Sequence, residues 1–179
     1  MSAGTVRYAR SLWAVLALVA STFAPAQSAK AEIISVPAAD FQIQCPPCGF
    51  QARNFTFNNG LIIPAERSIF YAAVPFPING QKICSFTLVY QDVNAGNPLT
   101  ARLLRKTFAV GSNPTAAPIV IATAVSAGGV VNTVRKATTT AISFPTIAKQ
   151  NSFYMAQIDV QTINTNFLGV QVEYKSACP

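Results

Sequence analysis

The chain has 179 residues, no histidine, 13 basic against 6 acidic residues, and a hydrophobic share of 51%. Without histidine, the Ser-His-Asp and Cys-His schemes and all histidine-ligated metals drop out, and most hydrolase templates go with them. The positive charge is mild and scattered, with no basic run, which argues against nucleic acid as a partner; an anionic cell-surface glycan or a protein partner is compatible with it.

At the N-terminus Arg7 and Arg10 precede an apolar run, Leu12 to Phe23, too short to span a bilayer as a stable helix. Small residues follow at Ala24, Ala26, Ala29 and Ala31. This is the build of a signal peptide over residues 1–31, a signal helix cleaved after Ala31 or, in a second frame, after Ala26. An uncleaved membrane anchor is the alternative, and no cysteine stands at either cleavage frame to carry a lipid. Cleavage after Ala31 removes Arg7, Arg10 and Lys30 and leaves 148 residues with ten basic and six acidic side chains, a net charge of +4. Residues 32–179 fit a single domain, expected in the periplasm, at the cell surface or outside the cell.

The remaining chain reads as short β-rich runs separated by proline, glycine and asparagine, with no helical period. About nine strands are expected, over residues 41–45, 53–57, 68–74, 82–90, 100–108, 119–126, 130–141, 153–162 and 168–175. In the fourth, Cys84, Phe86, Leu88 and Tyr90 share one face, and Ile83, Ser85, Thr87 and Val89 the other, both at least half covered. In the last, Leu168, Val170, Val172 and Tyr174 alternate with Gly169, Gln171, Glu173 and Lys175, one face on the core and one in water. Turn residues punctuate the runs at Asn79-Gly80, Asn94 to Pro98, Asn113-Pro114 and Gly128-Gly129, the last suited to a hairpin. This spacing without helices predicts an all-β, two-sheet antiparallel sandwich, with a closed barrel as second choice. From Thr107 to Val134 no residue is charged. The ordinary place for such a run, with its β-prone segment Ile119 to Val125, is a buried central strand; the alternative is an edge through which copies assemble.

Candidate chemistry is sparse. The acids after residue 31 are Glu32, Asp40, Glu66, Asp92, Asp159 and Glu173, and none pairs in sequence as a glycosidase would need. Asp159 and Glu173 fall opposite the apolar faces of their strands and are expected in solvent. Asp92, Asn94, Gly96 and Asn97 have a faint calcium-loop look, but Asn97 and Leu103 stand where an EF-hand wants glycine and an acid, so an ordinary turn is expected. Arg102 and Lys106 share a strand face and Arg105 takes the other, so these cations, with Arg135 and Lys136, make no single patch. Phe153 and Tyr154 are aromatics that could stack on sugar rings or belong to the core.

Four cysteines, Cys45, Cys48, Cys84 and Cys178, predict disulfides in an oxidising compartment rather than a zinc site. Cys45-Pro46-Pro47-Cys48 matches the C-x-x-C spacing of thiol exchange, but a β-rich stretch follows it, not the helix N-terminus that activates such a thiol. Pro47 holds Pro46 extended and sets the two cysteines roughly 9 Å apart, so they are expected to pair with Cys84 and Cys178. The parity of Cys84 and Cys178 on their strands leaves a bond between those two open.

The order of Phe70-Tyr71-Ala72-Ala73-Val74-Pro75, Asn79-Gly80, Tyr90-Gln91-Asp92, Thr100 to Arg105 and Phe167 to Tyr174 resembles a loose group of uncharacterised bacterial exported β-sandwich proteins. The resemblance covers about residues 68–175 and implies a jelly-roll-like domain with no catalytic residue carried over. A fainter similarity is to fimbrial subunits, exported β-sandwiches with an early long-range disulfide, although Tyr174 is not penultimate and Cys48 and Cys178 have no counterpart. The expectation is an exported non-catalytic surface, matrix or ligand-binding module, glycan being a candidate ligand, with no metal or cofactor. A self-assembling fimbrial-type subunit and a thiol-disulfide oxidoreductase are the alternatives.

Overall fold

Alternating apolar and polar side chains set one face of a strand against a core and the other in water, and this chain repeats that pattern from end to end of its domain. The computed structural model describes residues 30–44, 55–58, 60–64, 67–92, 97–108, 116–128, 133–161 and 165–179. Within them lie eleven strands: β1 (Glu32–Pro37), β2 (Gln42–Gln44), β3 (Phe55–Asn58), β4 (Leu61–Pro64), β5 (Ser68–Ala73), β6 (Lys82–Asp92), β7 (Thr100–Thr107), β8 (Ile119–Val125), β9 (Arg135–Thr139), β10 (Ser152–Val160) and β11 (Thr165–Lys175). The nine expected strands are present with their ends moved by a few residues, and β1 and β4 are additional. β1 is marked by little burial, with Val36 alone fully inside, and β4 is a short run ended by proline.

All pairing is antiparallel and forms two sheets. One runs β3-β4-β11-β6-β9, with β1 also on β11, and the other β2-β5-β10-β7-β8. From β4 onward the orders β4-β11-β6-β9 and β5-β10-β7-β8 are those of a jelly roll, in which each connection except β7 to β8 crosses between the sheets. β8 and β9 belong to different sheets, so no hairpin joins them at the expected Gly128-Gly129 turn, of which Gly129 lies outside the described residues, and Gly128 belongs to a crossover. Arg135 secures that crossover by donating to the carbonyls of Ala127 and Gly128, and Tyr90 Oη both accepts from and donates to the Ala127 backbone.

The core fills the space between the sheets. Phe86, Leu88, Tyr90, Phe167, Val170 and Val172 from one sheet meet Phe70, Ala101, Leu103, Ala156, Ile158 and Val160 from the other. Edge-to-face rings stitch the layers: Phe167 stands 5.2 Å from Phe70 and 5.4 Å from Phe41. Each such pair adds roughly 0.5–1.5 kcal/mol to the burial of its rings.

Two irregularities revise the expected faces. A bulge between Phe167 and Gly169 shifts the parity of β11, so Phe167 and Val170 both point inward and Leu168 is only half-buried. A second shift, between Glu173 and Tyr174, skips Cys84 in the ladder, so Ile83 joins Phe86 and Leu88 in the core.

The placement of β8 is a larger correction. The uncharged segment is not a central strand: β8 closes one edge of its sheet, pairing with β7 alone, and Ile119, Val120 and Val125 are each close to half exposed. Lack of charge normally signals burial on both sides, but here burial is confined to the inner face, at Ile121, Ala122 and Ala124.

Gly169 has φ of 140°, and a Cβ there would overlap the Val36 carbonyl oxygen and come within 3.0 Å of Pro37 Cα. Gly169→Ala is expected to lower the unfolding free energy by roughly 2–4 kcal/mol in urea titrations, since backbone of β1 must move. Gly80→Ala, at φ of 83° with nothing nearby, should cost only about 1 kcal/mol.

Tyr174 Oη donates to Glu32 Oε2 at 2.6 Å, fastening β1 to β11. That bond, then burial and the neighbouring negative charge, push the phenol from 10.0 up to about 12. The folded state therefore holds the proton more tightly than the unfolded one, so this contribution is complete below pH 10 and fades as pH rises toward 12. Glu32→Gln should lower the highest step of the phenolate absorbance titration and make stability less steep over that interval.

Candidate functional site

The outer face of the β2-β5-β10-β7-β8 sheet carries a groove of about 790 Å³. Sequence makes it locally. In Tyr71-Ala72-Ala73, Ala72 points into the core and Ala73 points out, opposite Met155 of β10, so a small side chain forms a low floor between larger ones. The 3-10 turn Ala38–Asp40 and the start of β2 bring Asp40 and Gln42 to one wall, with Gln42 paired to Tyr71. Lys149, Ser152 and Phe153 supply the other wall.

The end of the groove is held rigidly. Val74 N donates to Tyr154 O at 2.9 Å and Phe76 N to Val74 O at 3.1 Å, turning the chain at Pro75. This sends the Phe76 ring inward, edge-on to Tyr154 at 4.8 Å and to Tyr174 at 5.9 Å. Tyr154 Oη accepts from Ala148 N at 2.9 Å, while Lys149 N donates to Asn79 Oδ1 at 2.8 Å and Lys149 Nζ to the Pro77 carbonyl at 3.0 Å. Buried aromatics and satisfied polar groups thus fix the wall before anything binds.

Alternation separates the two aromatics singled out in the sequence: Tyr154 is core, whereas Phe153 is 40% exposed on the groove wall. Its ring packs at 4.8 Å on Phe108, itself 52% exposed, extending the apolar rim onto the end of β7. Beside the groove, the register places Gln42, Tyr71, Gln157 and Arg102 in one row across four strands. Arg102 is drawn to Asp159 at 3.8 Å, and Lys106 donates to the Ala116 carbonyl, so neither forms part of a free cationic patch. Arg105 takes the other face, as its parity requires, with its guanidinium 5.1 Å from the Phe144 ring centroid.

The groove gathers one carboxylate, one ammonium, an amide, a phenol, a hydroxyl and an exposed phenyl ring. That set can orient a ligand by hydrogen bonds against an apolar surface. Of the other acids, Glu32 is bonded to Tyr174, and Glu173 accepts from Ser85 Oγ at 3.1 Å on the outer face of the opposite sheet. Asp159 and Glu173 lie on outward faces, as their positions on their strands suggested, but not in open solvent: their side chains are 15% and 34% exposed, covered by Arg102 and by Ser85 and Lys175. Glu66, the Asp92 side chain and Asn94 to Gly96 lie outside the described residues. No three metal-ligating side chains cluster among those described.

The cysteines require a correction. Cys84 is joined to Cys178, with Cα atoms 5.3 Å apart, so neither pairs with Cys45 or Cys48, which lie outside the described residues. The cause is sheet pairing: β6 and β11 run side by side to Lys82 and Lys175, and Cys178 follows just beyond. The stiffness of Pro46-Pro47 said nothing about that neighbourhood. Asp40, Gln42, Tyr71, Lys149 and Ser152 were not legible as a site, because they converge from three separate stretches of the chain; the alternating small and aromatic residues at Tyr71 to Ala73 and Phe153 were the available signal.

No protein-family profile and no curated protein matches this chain.

Non-reducing peptide mapping should recover a Cys84–Cys178 cross-linked fragment. Closing a separation of 94 residues, the bond should contribute roughly 3–5 kcal/mol, and Cys178→Ser should lower the denaturation midpoint accordingly.

Proposed function

We propose that this protein is an exported, non-catalytic jelly-roll module that binds glycan in the groove over β5 and β10. The observation that carries the reading is the exposed Phe153 ring standing across a small-residue floor from Tyr71, Gln42 and Asp40. A pyranose ring has one face of C–H groups and an equator of hydroxyls. Phe153 offers a surface for the first, while Asp40, Gln42, Tyr71 and Ser152 offer acceptors and donors for the second. Lys149 adds a positive charge, which together with the net charge favours a glycan bearing carboxylate or sulfate groups.

Export rests on the N-terminal pattern of residues 1–31. Cleavage after Ala31 would leave Glu32, first residue of β1, as the new terminus. The non-catalytic reading rests on the makeup of the groove, whose carboxylate, Asp40, stands without the second that a glycosidase needs, and whose Lys149 Nζ is held by the Pro77 carbonyl.

A glycan array with purified protein, followed by calorimetry on the best ligand, tests the proposal. Phe153→Ala and Tyr71→Ala should each weaken binding by about tenfold or more, the loss expected when a ring no longer covers a sugar face. Binding unchanged by both substitutions would refute the site. Hydrolysis of the bound glycan, lost on replacing Asp159 or Glu173, would refute the non-catalytic reading.

A further inference from the structure

A sheet edge presents unpaired N–H and C=O groups, and proteins that stay monomeric blunt their edges with charge, proline or brevity. In the β2-β5-β10-β7-β8 sheet, β2 has three residues among those described, whereas β8 has seven residues and no charge. In the other sheet the edge strand β9 opens with Arg135 and Lys136.

The ladder shows which β8 groups look outward. Ser126 N donates inward to Leu99 O at 2.9 Å, whereas Ile121 O accepts from Ser143 N at 2.8 Å on the outer side. Antiparallel alternation then turns Ala122 and Ala124 toward β7, and Thr123 and Val125 away from it. The segment around Ser143 covers the edge at Ile121, and among the described residues no backbone bond reaches the outward groups of Thr123 and Val125.

We propose that two copies of this protein pair through this stretch, antiparallel and two-fold, about Ala124. Thr123 of each copy then stands opposite Val125 of the other, forming two pairs that each exchange both N–H···O=C bonds and leaving the Ile121–Ser143 bond intact. Ala124 falls on the axis in a non-hydrogen-bonded position, where Cα atoms come within about 4.5 Å, and its small inward side chain tolerates that approach. The occupant is a second copy because the segment complements itself. No charge meets its own image, β-branched Thr123 and Val125 form cross-strand pairs, and the inward residues Ala122, Ala124 and Ser126 are all small. The edge strand β9, by contrast, has charges at Arg135 and Lys136 within its five residues. The result joins two five-stranded sheets into one continuous sheet and leaves both grooves open.

Sedimentation velocity across micromolar to millimolar concentration tests this on the purified protein after expression of the whole chain. The expected result is a monomer–dimer equilibrium that Val125→Lys moves at least tenfold toward monomer with an unchanged circular dichroism spectrum. Thr123→Pro removes one outward N–H and no inward ladder bond, and should act alike; if it fails to fold, Val125→Lys decides alone. A monomer at every concentration, a dimer indifferent to the folded variants, or open filaments in place of a closed dimer would each overturn the proposal.

Discussion

The architecture depends on the pairing of β6 with β11. These are the longest strands, they lie side by side in the interior of their sheet, and their inward residues form one wall of the core. Around the bulge at Gly169 the pair approaches β1 so closely that only a glycine fits beneath the Val36 carbonyl. The same pairing delivers Cys178 to Cys84 and carries Tyr174 to Glu32. A backbone contact, a covalent bond and a hydrogen bond thus fasten opposite ends of the domain to one two-stranded unit.

The outer faces of the two sheets differ in chemistry. On the β6 and β11 side, Thr87 and Thr138 share a bond of 2.9 Å, and Gln171 is bonded to both Lys136 and Ser35. These are cross-strand polar pairs that satisfy one another. On the β5 and β10 side, alanine and methionine replace such pairs, rings line the wall, and a groove opens. The same alternation that builds a core therefore produces a face of paired polar side chains in one sheet and a grooved face in the other.

Strand existence was legible because it rests on local alternation. The two-layer arrangement followed from strand spacing. What escaped were features set by pairing partners. Leu168 looked inward until the bulge reversed its parity, and β8 looked central because uncharged β-formers are usually covered on both sides. Cys45 and Cys48 dominated the reading of the disulfides through a stiff local motif, although the proximity of Cys84 to Cys178 is a property of β6 and β11 together. The groove was hidden for the same reason: Asp40, Tyr71, Lys149 and Phe153 acquire a common purpose only after three strands and two turns have docked.

Because β1 pairs with β11, the first strand of the domain finds its partner last. A chain synthesised from its N-terminus cannot complete the six-stranded sheet until β11 has emerged. Most contacts are remote in sequence, and such topologies fold slowly because loop closure must precede the gain from contact. The arrangement defers completion of that sheet until β11 is available to β1, β4 and β6. Shortening the chain by its last strand would remove the interior partner shared by β1, β4 and β6, leaving three strands with nothing to join them.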